Sequence, residues 1–260
     1  MKIFQVDAFT DVLFGGNPAA VVPLENWEDN ETLQKIAAEN NLSETAYIVA
    51  LKNEFNFEIR WFTPTVEVDL CGHATLAAAY VLFNELGFKG DKIKFNSKSG
   101  LLIVTKSADL LTLDFPSDTP QHVNNYELPI NALGYKPIET FKTNFGYLFV
   151  FDSEQTIRKL LPDFDLLNKL EGVGVIATSA GENVDFVSRF FAPQSGIDED
   201  PVTGSIHTSL TVLWASKLGK TKLSALQLSP RQGKLWLELA GDRVLIAGKA
   251  KLYLKGEIFI

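Results

Sequence analysis

The chain has 260 residues, 46% hydrophobic and 22% charged, which suits a globular protein of one large domain or two small ones, either able to bury a real core. Its formal net charge is −8, with an isoelectric point near 5.0. No nucleic acid and no membrane is therefore expected as a partner, and an anionic substrate would have to be held by local devices.

A single cysteine, Cys71, excludes an internal disulfide and a cysteine-based zinc cluster. The three histidines, His73, His122 and His207, show no HExxH-like spacing, so no metal is expected. The opening MKIFQVDAF reads as a strand and lacks the apolar run and cleavage site of a signal peptide. No apolar stretch approaches the ~18 residues that span a bilayer, and the expected location is cytoplasmic.

In chain order, a strand at residues 2–9 is followed by a Gly-Gly-Asn-Pro turn at 15–18 and a second strand through Val21 and Val22. A helix at about Glu31 to Glu39 has Asn30 as its expected N-cap and Leu33, Ile36 and Ala37 on its inner face. The stretch NLSETAYIVA, residues 41–50, alternates from Leu42 like a strand and puts Leu42, Glu44, Ala46 and Ile48 on one face. Glu44 thus points where apolar residues point. An unpartnered buried carboxylate costs several kcal/mol, so such a residue is paired, protonated or catalytic, unless the strand lies at an edge and Glu44 reaches water.

A strand around Phe55 to Phe62 ends before Pro64. CGHATLAAAYVLFNELG then reads as a turn leading into a helix from about His73 to Glu85, small or apolar all round and so buried on all sides. Strands follow near 92–96, 100–105 and 110–115. PSDTPQHVNNYELP, Pro116 to Pro129, reads as the linker between halves. Strands recur at 147–151 and 173–178 around a helix at 152–161, then at 184–191. The loop APQSGIDEDPVTG leads into a second buried helix at about Ser205 to Leu218, and hairpin strands fill the rest.

The halves echo each other. CGHATLAAAYVL and TGSIHTSLTVLW each place a glycine before a small-residue helix. The expected fold is α+β in two pseudo-symmetric halves, residues 1–116 and 117–260, each a curled mixed sheet around a central helix. The last few residues are allowed to pack back on the first half, and a cleft is expected between the two. Helix starts expose unpaired N–H groups and bind anions without lysine, so Gly72 and Gly204 are candidate substrate-binding positions. His73 is a candidate proton donor or acceptor. Asp200, before Pro201, could bind an amine or relay a proton, or simply belong to the acidic run Asp198 to Asp200. Cys71 could be a helix-start thiolate, though a lone cysteine is more often packing. Ser205 and His207, two positions apart, share no helix face, and no G-x-S-x-G, G-x-G-x-x-G or P-loop pattern occurs.

QVDAF, GGNPAAVV, NLSETAYI, RWFTPTVEVDLCGHATLAAAYVL and GIDEDPVTGSIHTSLTVLW, in this order over essentially the whole chain, resemble the PhzF family of phenazine-biosynthesis-like proteins. The resemblance implies a diaminopimelate epimerase-like fold and cofactor-free isomerisation by proton movement on a small amino-acid-like carboxylate such as 2,3-dihydro-3-hydroxyanthranilate. The family's shuttling glutamate falls on Glu44 and its histidine on His73. Its aspartate and serine fall on Asp200 and Ser205, with Asn17 lining the same site. It also implies a homodimer. A carboxylate in a dry site would have a raised pKa, as a base that abstracts and returns a proton needs. With only Cys71 present, a two-thiol racemase is excluded. An epimerase pairing Glu44 with Asp200 or His73 stays open, as does a non-catalytic ligand-binding protein that keeps the fold.

Overall fold

The structure, a computed structural model, describes residues 1–52, 56–124 and 127–260. In chain order the first elements are β1 (Lys2–Ala8), β2 (Asn17–Leu24), α1 (Asn30–Asn40), β3 (Glu44–Ala50), β4 (Phe57–Phe62), β5 (Glu67–Val68), α2 (Gly72–Asn84), β6 (Lys92–Ser97), β7 (Gly100–Ser107) and β8 (Leu110–Pro116). Then come β9 (Gln121–His122), α3 (Glu127–Leu133), β10 (Glu139–Thr143), β11 (Gly146–Val150), α4 (Glu154–Lys159), α5 (Phe164–Leu167), β12 (Gly174–Ala180) and β13 (Phe186–Ala192). The chain ends with β14 (Ile197–Glu199), α6 (His207–Leu218), β15 (Lys222–Gln227), β16 (Gly233–Ala240), β17 (Arg243–Gly248) and β18 (Ala250–Glu257). The expected strand start at Phe55 lies outside the described residues. Among those residues no helix is long and apolar enough to cross a membrane.

Two compact units result: Met1–Asp114 with Ile246–Ile260, and Phe115–Leu245. The C-terminal segment belongs to the first unit because β18 pairs antiparallel with β1, from Lys2 opposite Glu257 to Ala8 opposite Ala250. The segment read as a linker carries β9, which pairs with β10, and the start of α3.

In the first unit β1 and β2 are antiparallel, and the turn joining them depends on Gly16. Its φ is +62°, and a Cβ there would sit 2.1 Å from the Ala8 carbonyl oxygen, so only glycine fits without displacing backbone. Asp29, not Asn30, caps α1, accepting from the Thr32 N–H at 2.9 Å. Leu33, Ile36 and Ala37 are buried as the pattern predicts. Asn41 closes α1 in the left-handed region (φ 48°), so β3 starts at Glu44 rather than at Leu42.

The expected alternation in β3 also fails. Thr45 through Val49 are all buried, because β3 lies between parallel β2 and antiparallel β4 with helices packed against it. The polar groups of its supposed outer face are satisfied internally. Tyr47 Oη donates to the Leu33 carbonyl at 2.6 Å, and Thr45 Oγ1 accepts from Asn40 Nδ2 at 3.1 Å. Helix α2 is buried along nearly its whole length, as its all-round apolar character requires.

The second unit repeats the first element by element. Parallel pairs β2–β3 across α1 and β4–β6 across α2 have counterparts β11–β12 across α4 and α5, and β13–β15 across α6. Antiparallel β1–β2, β3–β4, β4–β5 and β6–β7 match β10–β11, β12–β13, β13–β14 and β15–β16. The single helix expected over 152–161 is the shorter α4, with α5 after it. Leu160 ends α4 with a non-helical ψ of 127°, and Pro162 follows. Helix α6 starts at His207 rather than Ser205. The preceding turn makes tighter bonds, His207 N–H to Gly204 O at 3.1 Å and Thr208 N–H to Ser205 O at 3.0 Å.

Candidate active site

The first unit gathers four groups from three elements. Asn17 opens β2, Glu44 opens β3, and Cys71 and His73 stand at the start of α2. In the parallel β2–β3 ladder Glu44 lies opposite Ala19, which brings the ends of both strands toward the helix start. His73 is 5% exposed and Asn17 is fully buried. His73 Nε2 lies 3.1 Å from Glu44 Oε2, and its Nδ1 lies 3.4 Å from Cys71 Sγ and 3.3 Å from Asn17 Nδ2. Ser43 Oγ donates to Asn17 Oδ1 at 3.3 Å.

The His73–Glu44 contact has the distance of an ion pair but not the alignment of a hydrogen bond. Both facing atoms, His73 Nε2 and Glu44 Oε2, are buried without a hydrogen-bond partner. The Glu44 side chain as a whole keeps 14% exposure, so its accessible part is not the oxygen facing His73.

Burial alone would lower the pKa of His73. The neighbouring Cys71 sulfur and the Glu44 carboxylate outweigh that and hold it well above the usual histidine value. Burial and the Glu44 charge push the Cys71 thiol up to about 11, against a smaller opposing pull from His73. Cys71 is therefore a neutral thiol at neutral pH. A helix-start thiolate, one of the expected options, does not form in this state.

Gly72 is buried, and neither it nor Gly204 has a positive φ, so neither is required by backbone conformation. In the second unit Asp200, Gly204 and Ser205 lie on the loop before α6. Asp200 Oδ2 accepts from Thr203 Oγ1 at 2.5 Å. Gln227, fully buried at the end of β15, accepts the Thr203 N–H at 2.8 Å and donates to the Asp200 carbonyl at 2.9 Å. Ser229 Oγ donates to the Pro201 carbonyl at 2.7 Å. Buried Gly204 and half-buried Ser205 sit on this clamped loop. His207, fully buried, sets Nδ1 2.8 Å from the Thr203 carbonyl, and burial lowers its pKa to about 4. It is a neutral structural ring.

Sequence reasoning missed Ser43, Thr203, Gln227 and the Cys71–His73 contact. A glutamine inside the otherwise apolar run ALQLS was the available signal for Gln227, since a buried amide needs partners.

Residues 6–256 match the family model described as phenazine biosynthesis-like protein, PhzC-PhzF. The chain belongs to the PhzC-PhzF family. Among curated relatives, an uncharacterized isomerase of Pseudomonas aeruginosa is 50% identical over 260 residues, covering 100% of this chain and 99% of that protein. A PhzF-family protein of Enterococcus faecalis, solved by crystallography, superposes with a TM-score of 0.96 at 47% identity, covering 100% of this chain and 99% of that one. A probable proline racemase from Agrobacterium radiobacter shares the fold alone, with a TM-score of 0.65 at 9% identity over 100% of this chain and 93% of its own. The α+β, epimerase-like fold of PhzF proteins is thus the fold of this chain.

Proposed function

We propose that this PhzF-family protein is an isomerase that moves a proton between carbons of a small carboxylate or amino-acid-like substrate without a cofactor, with Glu44 as general acid and base. One observation carries the reading: Glu44 Oε2 is sealed against the buried ring of His73 at 3.1 Å, while the rest of the carboxylate side chain stays open to a ligand. A base fixed through one oxygen by a cationic partner is oriented before substrate arrives. It takes a proton from one carbon and returns it to another, and His73 holds the compensating positive charge.

Asp200 and Ser205 keep the substrate-holding or relay roles that the resemblance gives them, and the helix start at Gly72 offers N–H groups to a substrate carboxylate. The names of the relatives as isomerases support the reaction class. An epimerase built on Glu44 and His73 is disfavoured by geometry. Groups 3.1 Å apart cannot flank opposite faces of one carbon.

The test is deuterium exchange in heavy water followed by NMR, over 2,3-dihydro-3-hydroxyanthranilate and a panel of amino and unsaturated carboxylic acids. Incorporation by the wild type and none by Glu44→Gln is expected. Exchange that persists in Glu44→Gln moves the base elsewhere, and no exchange with any compound favours a ligand-binding protein. A homodimer belongs to the same proposal and is read by light scattering.

A further inference from the structure

Two of the donors in the first-unit cluster, Cys71 and His73, are near neighbours in sequence, while Glu44 comes from another element, so spacing along the chain does not reveal the set. A tetrahedral zinc-type ion with bonds of about 2.0–2.3 Å holds its donors roughly 3.3–3.6 Å apart. Here Glu44 Oε2 lies 3.1 Å from His73 Nε2, while Cys71 Sγ lies 3.4 Å from the other ring nitrogen, Nδ1. One donor atom from each of the three residues falls within 4.8 Å of the other two. The buried atoms Glu44 Oε2 and His73 Nε2 face each other without a hydrogen bond, and an ion between them would bond both. The Glu44 side chain keeps 14% exposure, which leaves a way in from solvent.

We propose that Glu44, Cys71 and His73 bind a thiophilic divalent cation of the zinc class, reversibly, on the carboxylate that the isomerase reading assigns to the substrate. Cation and substrate then exclude each other, and the ion acts as an inhibitor rather than a cofactor. Cys71 releases its thiol proton to solvent and gives the thiolate pair to the ion. His73 likewise gives up its second ring proton to solvent and binds as the neutral ring, and Glu44 binds as the carboxylate. Two negative ligands cancel the dication's charge, as a mostly buried site demands. The His73 ring now turns one nitrogen to each neighbour, so binding through a single nitrogen moves Cys71 Sγ or the Glu44 carboxylate by about an ångström.

Cobalt is the probe, because thiolate–cobalt bonds give a near-ultraviolet charge-transfer band and the chain has one cysteine. Adding Co²⁺ to the reduced full-length protein is expected to produce that band at one equivalent, with Zn²⁺ displacing it. Cys71→Ser abolishes the band, and Glu44→Gln weakens Co²⁺ binding by about tenfold or more. Should a variant fail to fold, the wild type serves alone: its Co²⁺ band saturates at one equivalent and Zn²⁺ removes it. Co²⁺ uptake without the band, a band that Zn²⁺ does not displace, or a band insensitive to Glu44→Gln overturns the proposal. All of these readouts are independent of turnover, so their failure leaves the isomerase reading standing.

Discussion

His207 makes the acid side of the stability profile calculable. Its ring is fully buried, donates from Nδ1 to the Thr203 carbonyl at 2.8 Å, and leaves Nε2 buried without a partner. Burial lowers its pKa from 6.5 to about 4 in the folded state. The folded protein therefore binds fewer protons than the unfolded chain between these values. Stability is fully present above pH 6.5 and falls as pH drops toward 4. One pH unit between the folded and unfolded pKa corresponds to about 1.4 kcal/mol, so the whole loss is roughly 3 kcal/mol, a large share of a typical domain's 5–15 kcal/mol. His73 does not mask the effect. Its raised pKa gives stability that is fully present below 6.5 and lost only as pH rises through its folded value. Glu67, held at about 2 by Arg60, loses its contribution below about 4.5. The window from 6.5 to 4.5 thus belongs to His207. Urea unfolding of wild type and His207→Asn at half-unit steps across that window is the assay, since asparagine can still donate to Thr203. The wild type should lose about 1 kcal/mol per pH unit more than the variant, most steeply midway between the folded and unfolded pKa values. Equal slopes would refute the reasoning.

Other outcomes follow from the same contacts. In Glu44→Gln the imidazole NMR titration of His73 should move down, because one of the two neighbours that raise it is gone while Cys71 stays; an unmoved titration would assign the elevation to Cys71. Gly16→Ala should cost about 2 kcal/mol or more in urea unfolding, from the 2.1 Å approach to Ala8 O and the positive φ, and a neutral result would mean the turn relaxes. Gln227→Ala leaves the Thr203 N–H and the Asp200 carbonyl without this partner, at about 1–3 kcal/mol, with faster amide exchange confined to residues 200–204; global loosening instead would mark Gln227 as ordinary core.

Much of this molecule was legible in the sequence, and the failures have local causes. Helix α2 was readable because Gly72 to Phe83 offers no Asp, Glu, Lys or Arg, which only a helix buried all round tolerates. The β3 face was misread because alternation is a rule for half-buried strands. A central strand with both sides covered buries Thr45 and Tyr47 and satisfies them with Asn40 and Leu33. Asp29 displaced Asn30 as the α1 cap because either residue type can cap, and only the backbone angle decides (φ −66°, ψ 154° at Asp29). Glu44 was flagged correctly as a carboxylate needing a partner. His73 was one of two partners left open beside Asp200, and the 3.1 Å contact that decides between them joins β3 to α2 by packing that spacing along the chain does not show.

The repeat itself shows how one scaffold raises the pKa of one buried histidine and lowers that of another. Both units place a buried histidine at the start of the helix that crosses between their parallel strands, and both helices tie back a threonine to an early carbonyl, Thr75 to Cys71 and Thr211 to His207, each at 2.6 Å. What differs is the strand start. In the first unit β3 opens on Glu44, opposite Ala19 of β2; its counterpart β12 opens on Gly174, opposite Gly146 of β11. A Cβ on Gly174 would meet the Phe191 carbonyl oxygen at 2.4 Å, so no carboxylate could occupy that place. His73 therefore has a neighbouring charge that offsets its desolvation, and His207 has only a carbonyl. One pKa rises and the other falls to about 4. The carboxylate–histidine pair belongs to the first unit because β3 has room for Glu44 at its start, where Gly174 leaves none at the start of β12.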